Sequence, residues 1–472
     1  MFKKIVLDNF KSFNHITLDL SGPDKSPLPY ALIYGENGSG KSNLIESLMF
    51  LKDTMKTFRS MGRTSGELNE QDILLKASWN AASEIRAMNL SGRSVFNTAG
   101  FKKMFKDLCN IVTAAADVRM IGSDAGVSVS YHFVLKGHDG HYEMRFGTNN
   151  RLIYEKLSYV VESRTKDIFE IAAGDDRNAA GDTCINTDFS PRLFRNSDHK
   201  RRMEDTIQRC WGRHSFLSML DHEYAVNNSR YMDGSMGTGI ADVIGFFNDF
   251  VIGNNYEGIF GRGIKDPIMA NLESGRIRPD EERRLRIYED AVNCFFGRIY
   301  SDIKKAYYKT ELRDGMLHYT LYFLKKVGGK KIDIDIFRES TGNKSMLRLF
   351  PILYECARGR TVFYDELDLG IHDLLMKDVM DEIKETFKGQ FVATTHNTSL
   401  LETTDPKSAF MIQVDSQAYK RILPISRIGR TQKNHNNRDR YMKGMFDAVP
   451  IIGMVCLDDI VRYTEKMLEE VT

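Results

Sequence analysis

Hydrophobic and polar positions alternate from the start of the chain. KKIVLDNFKSF and HITLDL carry the period-two pattern that predicts two short strands joined by a turn. A Pro/Ser/Gly-rich loop, SGPDKSPLP, follows, and YALIYG then reads as a buried strand running into a glycine-rich loop. The pattern changes to a helical one over SNLIESLMFLKDTM, where Leu44, Ile45, Leu48, Leu51 and Met55 share one face. Strand, glycine-rich loop and helix together make a phosphate-binding unit. From about 59 to 124 the chain is polar and reads as helices and loops. VSVSYHFVL, HYEMRFG and RLIYEKLSYVVE, separated by the turns GHDG and TNN, predict a meander over about 125–172. AAGDDRNAAGDT reads as a flexible loop. From about 190 to 312 most segments look helical, with glycine-rich breaks near 234–239 and 252–263. The run PDEERRLRIYEDAVNCFFGRIYSDIKKAYYK keeps helical spacing through Leu285, Tyr288, Val292, Phe296 and Ile299. Strands resume with HYTLYFL and KIDIDIF. A helix after 343, the strand TVFYDEL, a helix near 374–387, the strand QFVATTH and a strand near 408–413 complete the series, without internal repeats.

Composition adds exclusions. The 472 residues hold 66 basic and 64 acidic side chains and are 42% hydrophobic, which rules out wholesale disorder and argues against a generic polyanion binder. The six cysteines, Cys109, Cys184, Cys210, Cys294, Cys356 and Cys456, have neither zinc-ligand nor CxxC spacing, so reduced thiols in a cytoplasmic protein are expected. MFKKIVLDNF is no secretory apolar region, because Asp8 and Lys11 intervene. No stretch approaches the ~20 apolar residues of a membrane span; GIADVIGFFNDFVIG carries Asp242 and Asp249.

Four segments carry chemistry. Gly35-Glu36-Asn37-Gly38-Ser39-Gly40-Lys41-Ser42 matches GxxxxGK[ST] in full, between a predicted strand and a predicted helix. Glycines let backbone N–H groups fold around phosphate oxygens, and the helix N-terminus adds its dipole. Lys41 is placed to reach the β- and γ-phosphates of ATP and Ser42 to hold Mg²⁺. Thr361-Val362-Phe363-Tyr364-Asp365-Glu366 is an apolar strand ending in two carboxylates, where Asp365 would support Mg²⁺ and Glu366 polarise the attacking water. Phe391-Val392-Ala393-Thr394-Thr395-His396 is a second apolar strand, and it puts His396 where a γ-phosphate contact is expected. Glu339-Ser340-Thr341-Gly342-Asn343-Lys344 is a small-residue turn opening a helix just ahead of the carboxylate strand, a further anion site in Ser340 and Gly342.

At these residues the chain resembles the ABC-type ATPases of the SMC/RecF/OLD group. GENGSGKSN, through Asn43, looks like their Walker A, VFYDE like their Walker B with Glu366 as catalytic base, and Ser340-Thr341-Gly342 like the signature motif that contacts the γ-phosphate from the opposite subunit. His396 looks like the switch histidine, and Asp368 stands where the family keeps its D-loop aspartate. Asn9-Phe10-Lys11-Ser12-Phe13 resembles the N-terminal turn whose basic residue approaches the nucleotide, which nominates Lys11. The signature departs from its best-known form at Thr341 and Asn343, and the Q-loop glutamine is not evident beyond Gln71. More narrowly, NFKSF, RLIYEKL, RHSFLSML, ESTGNKSMLRL, DELDLGIHDLL and NNRDRYMKGMFDAVPII are similar to compact bacterial ATPases of the AAA-fifteen/AAA-twenty-one type found in anti-phage and abortive-infection systems.

The resemblance implies an α/β P-loop NTPase, an ABC-type ATPase head of mixed sheets and flanking helices, interrupted by a mainly helical insert. Its expected parts are 1–172 (first half of the head), 173–315 (helical lobe), 316–430 (second half) and 431–472 (helical tail). Lys41 and Glu366 are 325 residues apart, but the insert lacks sustained heptads and a central CxxC, so neither a long coiled-coil rod nor a zinc hook is expected. The basic clusters His199-Lys200-Arg201-Arg202 and Arg283-Arg284-Arg286 read first as solvated helix faces and second as a nucleic-acid surface. About 75 residues follow His396, too few for the nuclease domain of OLD proteins, and Asp458-Asp459 and Glu469-Glu470 read as surface charge. The expected activity is ATP hydrolysis, of low turnover at the least, at a head-to-head dimer interface. The expected partners are a second copy or a larger homo-oligomer, a separate toxin or nuclease effector and a phage protein as trigger. The rival readings are an ATP-bound scaffold that sequesters an effector and a RecF-like DNA-repair ATPase.

Overall fold

The computed structural model describes residues 1–61, 110–161, 164–177, 183–237, 239–254, 262–429, 436–448 and 456–469. Gln71, Glu470 and most of the 59–124 reading lie outside them. The chain opens with the hairpin β1 (Phe2–Phe10) and β2 (Phe13–Asp19), then β3 (Tyr30–Tyr34), the glycine-rich loop and helix α1 (Lys41–Thr54). Helix α2 (Ile111–Val118) precedes β4 (Ser128–Leu135), β5 (His138–Phe146), β6 (Leu152–Val161), β7 (Arg164–Arg177) and β8 (Thr183–Phe189). Helices α3 (Ser197–Cys210), α4 (Phe216–Val226) and α5 (Ile240–Asp249) form a lobe. Then come β9 (Val251–Asn254), β10 (Ser274–Ile277), α6 (Glu282–Ile299), β11 (Ile303–Arg313), β12 (Met316–Val327) and β13 (Lys330–Asp335). The last part runs α7 (Thr341–Ala357), β14 (Thr361–Asp365), α8 (Asp373–Ile383), β15 (Gln390–Thr394), β16 (Ala409–Val414), β17 (Lys420–Pro424) and α9 (Leu457–Glu469).

Three sheets result. The central one has the order β17-β16-β3-β15-β14-β9, and every pair except β16–β17 is parallel. Its parallel strands are buried on both faces, which is why YALIY, TVFYD and QFVAT read as continuous apolar runs rather than alternating ones. Side chains of β3 divide between two cores: Ala31 and Ile33 face α1 and the lobe, while Leu32 and Tyr34 face α7 and the smaller sheet. An antiparallel sheet, β2-β1-β4-β5-β6-β7-β8, covers the first core. Gln390 ties these two sheets together: its Oε1 accepts from Phe2 N at 2.7 Å, and its Nε2 donates to Phe2 O at 2.8 Å and Leu28 O at 3.0 Å. The third sheet is built on β12, with β11 along one edge and β10 and β13 on the other. The α/β P-loop architecture with mixed sheets and flanking helices is therefore as expected.

Local differences have physical reasons. β7 runs past residue 172, and Ala173 pairs with Ile185, so the flexible loop expected over AAGDDRNAAGDT is in part a hairpin. The glycine-rich composition hides this, because the edge ladder uses backbone groups rather than side chains. The run read as helical extends to Lys309, but the helix stops at Ile299, where Tyr300 turns extended. The next segment is strand β11, and α6 satisfies its amides: Asn293 Oδ1 accepts from Ala306 N at 2.9 Å and Glu289 Oε2 from Tyr308 N at 2.6 Å. The interval 173–315 thus holds helices α3 to α6 and also β8 to β11. Beyond the expected strand near 408–413, β17 adds an antiparallel edge.

Candidate nucleotide site

β3, β15 and β14 lie side by side, so the phosphate loop, the segment carrying His396 and the two carboxylates emerge from neighbouring strands. This is the crevice outside the carboxyl ends of a parallel sheet, where α/β proteins ordinarily bind ligands.

The loop Gly35–Ser42 needs its glycines. A Cβ at Gly35 would lie 2.5 Å from Ser39 Oγ. Gly40 has φ +104°, and a Cβ there would meet the Phe13 ring at 2.6 Å. Ser39 is buried with no hydrogen-bond partner for Oγ, while Asn37 and Gly38 are exposed at the tip. Lys41 is buried, and its Nζ donates to the carbonyls of Gly35 at 2.8 Å and Glu36 at 3.0 Å. Burial lowers its pKa, and the carboxylates Asp365, Glu366, Asp368 and Glu36 oppose that shift.

Asp365 ends β14 buried, and burial raises its pKa against hydrogen bonds from Thr394 and Ser42. Lys41 and Asp365 are thus both pushed towards their neutral forms by loss of water. A phosphate anion beside the one and a divalent cation beside the other would restore their charged forms. Thr394, at the end of β15, organises both carboxylates. Its hydroxyl donates to Asp365 Oδ1 at 2.5 Å and accepts from Glu366 N at 2.8 Å. Glu366 takes a left-handed backbone, φ +55°, which only such local bonding sustains for a non-glycine residue. Asp368 Oδ1 accepts from Thr395 Oγ1 at 2.5 Å and from His396 N at 3.1 Å, locking the two post-strand loops together. Burial and the Lys41 charge lower the pKa of His396, with Asp368, Glu366 and Asp365 acting the other way, which favours the neutral ring.

The remaining expected residues lie apart. Asn43 Nδ2 donates to Ser12 Oγ at 2.7 Å, joining α1 to the N-terminal turn. Lys11 pairs with Glu46 of α1 at 3.4 Å. Ser340 is exposed and caps α7, its Oγ accepting from Asn343 N at 3.3 Å. Asn343 is anchored to buried Glu339 at 2.7 Å, and Gly342 lies against the D-loop, since a Cβ on it would meet Gly370 O at 2.9 Å. Among the described residues, no hydrogen bond links Ser340 or Gly342 to the phosphate loop of the same chain. The basic clusters spend much of their charge locally: Lys200 pairs with Glu204, Arg284 with Glu281 and Asp266, and Arg286 with Glu282 and Glu289, while His199 is buried.

One residue escaped sequence reasoning. Asn254 ends β9 directly opposite Asp365 in the parallel ladder. It is 3% exposed, and its Oδ1 has no hydrogen-bond partner. Its only signal is an apolar run, FVIG, ending in a polar residue ahead of a glycine-rich stretch. Together, orphaned Ser39 Oγ and Asn254 Oδ1, the Lys41 ammonium and the Ser42–Asp365 pair suit a triphosphate with Mg²⁺.

Two family models match the chain. A family model described as "AAA domain, putative AbiEii toxin, Type IV TA system" matches residues 120–402, and one described as "AAA domain" matches residues 4–177. The chromosome partition protein Smc of Methanocaldococcus jannaschii is 28% identical over 122 residues. That match takes in 26% of this chain and 8% of the relative's length. Among solved structures, the chain is similar to an Smc head bound to the C-winged helix domain of ScpA, at 15% identity and TM-score 0.39, over 89% of this chain and 96% of that one. It is also similar to the SMC head domain of Thermotoga maritima, at 14% identity and TM-score 0.36, over 90% and 98%. Among the described residues no helix is long and apolar enough to cross a membrane.

Proposed function

The chain belongs to the AAA-domain family whose model spans residues 120–402, and on that premise we propose that it is an ATP-hydrolysing switch working at a head-to-head interface between two copies. The observation that carries the reading is the convergence of Lys41, Asp365, Glu366 and His396 at adjacent strand ends, with Thr394 fixing both carboxylates. ATP would lie with its phosphates in the Gly35–Ser42 loop. Ser42 and Asp365 would hold Mg²⁺, and Asn254 would complete the polar wall beside them. The metal supplies neutralisation of phosphate charge. Glu366 accepts the proton of the attacking water, and neutral His396 hydrogen-bonds the γ-phosphate.

The second copy enters because Ser340 faces solvent and Gly342 the D-loop, and among the described residues neither hydrogen-bonds its own phosphate loop. Exposed Phe337, Leu369 and Leu374 flank them and would be covered on dimerisation. The signature of each subunit then contacts the ATP held by the other. In this reading the output is directed at a separate toxin or nuclease in anti-phage defence, with the dimer as a regulator in the cytoplasm; the description of the matched family names a toxin–antitoxin system. The five described cysteines are all unpaired with one another, which suits a reducing compartment.

Glu366→Gln tests this reading. The variant keeps the shape of the site and removes the base, so it binds ATP, accumulates as an ATP-held dimer and loses turnover by about 10²–10⁴-fold. Unchanged hydrolysis would remove Glu366 from the role.

A further inference from the structure

A lysine from the far end of the central sheet reaches the phosphate loop. Lys420 opens β17, and its ammonium donates to the Gly38 carbonyl at 2.9 Å and to Ser12 Oγ at 2.8 Å. It lies 5.6 Å from the centroid of the Phe13 ring, the ring that also closes against Gly40. Ser12 Oγ accepts from Asn43 Nδ2 as well, so the turn between β1 and β2, the loop tip with the first turn of α1, and the start of β17 meet on two small polar groups.

The tip also closes on its own turn, Ser39 N donating to the Glu36 carbonyl at 3.2 Å. Gly38 has φ +79°, and no atom lies within 4 Å of the place its Cβ would occupy. Among the described residues Lys420 is the side chain that hydrogen-bonds Gly38, so its bond adds to the turn where packing adds nothing. Lys420 is also half-buried and forms no ion pair among the described residues. Its burial lowers its pKa, with the Glu36 charge acting the other way. A partly dehydrated cation without a carboxylate partner, bonded to the outer face of a backbone nest, adds positive potential where an anion would enter.

We infer that Lys420 is a positioning residue for the polyphosphate of the nucleotide: it fixes the Gly38 tip of the nest and contributes charge to the cradle from outside the recognised motifs. The inference rests on the ATP-site reading above. The ligand class is a nucleoside di- or triphosphate, because the contact is with the phosphate loop.

The test is titration of the full chain with Mg-ATP, Mg-ADP and AMP, with steady-state hydrolysis, for wild type, Lys420→Met, Lys420→Arg and Lys41→Met. Lys420→Met weakens ADP and ATP binding and raises KM by about tenfold, the worth of one charge-assisted hydrogen bond. Its kcat at saturating ATP stays within about twofold, because Lys420 touches no reacting atom. Lys420→Arg restores affinity, and the gap between wild type and Lys420→Met narrows as salt rises. Affinity unchanged in Lys420→Met, or a loss that Arg does not rescue, overturns the inference. If wild type binds ATP no better than Lys41→Met, the ATP-site reading itself fails, which is a separate outcome.

Discussion

Thr394→Val removes a single hydroxyl at the junction of both carboxylates and changes little in shape. The hydroxyl makes a 2.5 Å bond to Asp365 and accepts the 2.8 Å bond from Glu366 N, and Thr394 is fully buried. Losing a charge-assisted bond costs about 1.5–3 kcal/mol, and leaving the Glu366 amide unsatisfied adds about 1–3, so about 2.5–6 kcal/mol is at stake. With 472 residues and about 2.1 cal/mol/K per residue, the unfolding entropy is about 1 kcal/mol/K, and the melting midpoint falls by only about 2.5–6 °C. Activity responds far more. The left-handed Glu366 backbone loses its tether, and a displacement of about 1 Å costs on the order of 10²-fold in rate. Because the Thr394 bond lowers the pKa of Asp365, its loss raises that pKa further, and Mg²⁺-dependent binding then needs a higher pH. Thr394→Ser keeps the hydroxyl and keeps activity. The assay is phosphate release across pH alongside differential scanning of both variants. Thr394→Val hydrolysing ATP within about threefold of wild type would refute this use of Thr394.

Two further predictions concern the scaffold. Glu155 is fully buried and accepts from Tyr142 OH at 2.9 Å, Trp211 Nε1 at 2.9 Å, Phe216 N at 2.7 Å and Leu217 N at 3.1 Å, pinning α4 to the antiparallel sheet. Glu155→Gln turns one acceptor oxygen into a donor facing donors and costs about 3–5 kcal/mol, read by urea unfolding; a change under about 1 kcal/mol would contradict it. His214 is buried, and burial, followed by the Arg213 charge, lowers its pKa from 6.5 to about 4. Its neutral form is favoured in the fold, so its contribution is full above pH 6.5 and is lost as pH falls through about 4, to a limit of about 3 kcal/mol. His214→Phe flattens the acid limb of the stability curve between pH 7 and 4; an unaltered limb would show that other groups set it.

The site was legible in the sequence where chemistry requires fixed spacing. The phosphate loop, Asp365-Glu366 and His396 sit on strands that read as apolar runs, and the structure aligns those strands as neighbours. Asn254 and Lys420 were not legible, for different reasons. β9 is four residues buried on both faces, so it has no alternation, and only the fold reveals that it lies beside β14. Lys420 belongs to no motif, and its closeness to Gly38 depends on β17 being an edge strand two places from β3. β11 was misread because its tyrosines and lysines continue the spacing of α6, and the amide bonds from Asn293 and Glu289 that fix it as a strand are tertiary.

The central claim is a nucleotide site shared between two copies, and mixing two inactive variants tests it most directly. Lys41→Met lacks the phosphate-loop lysine, and Ser340→Arg blocks the signature; each alone is inactive if every site takes one element from each subunit. In a mixed dimer, one of the two sites combines the intact loop of the Ser340→Arg copy with the intact signature of the Lys41→Met copy. An equimolar mixture at random pairing therefore regains roughly a quarter of wild-type hydrolysis. A mixture as inactive as its components, or a Ser340→Arg protein that hydrolyses ATP normally by itself, would contradict the shared site.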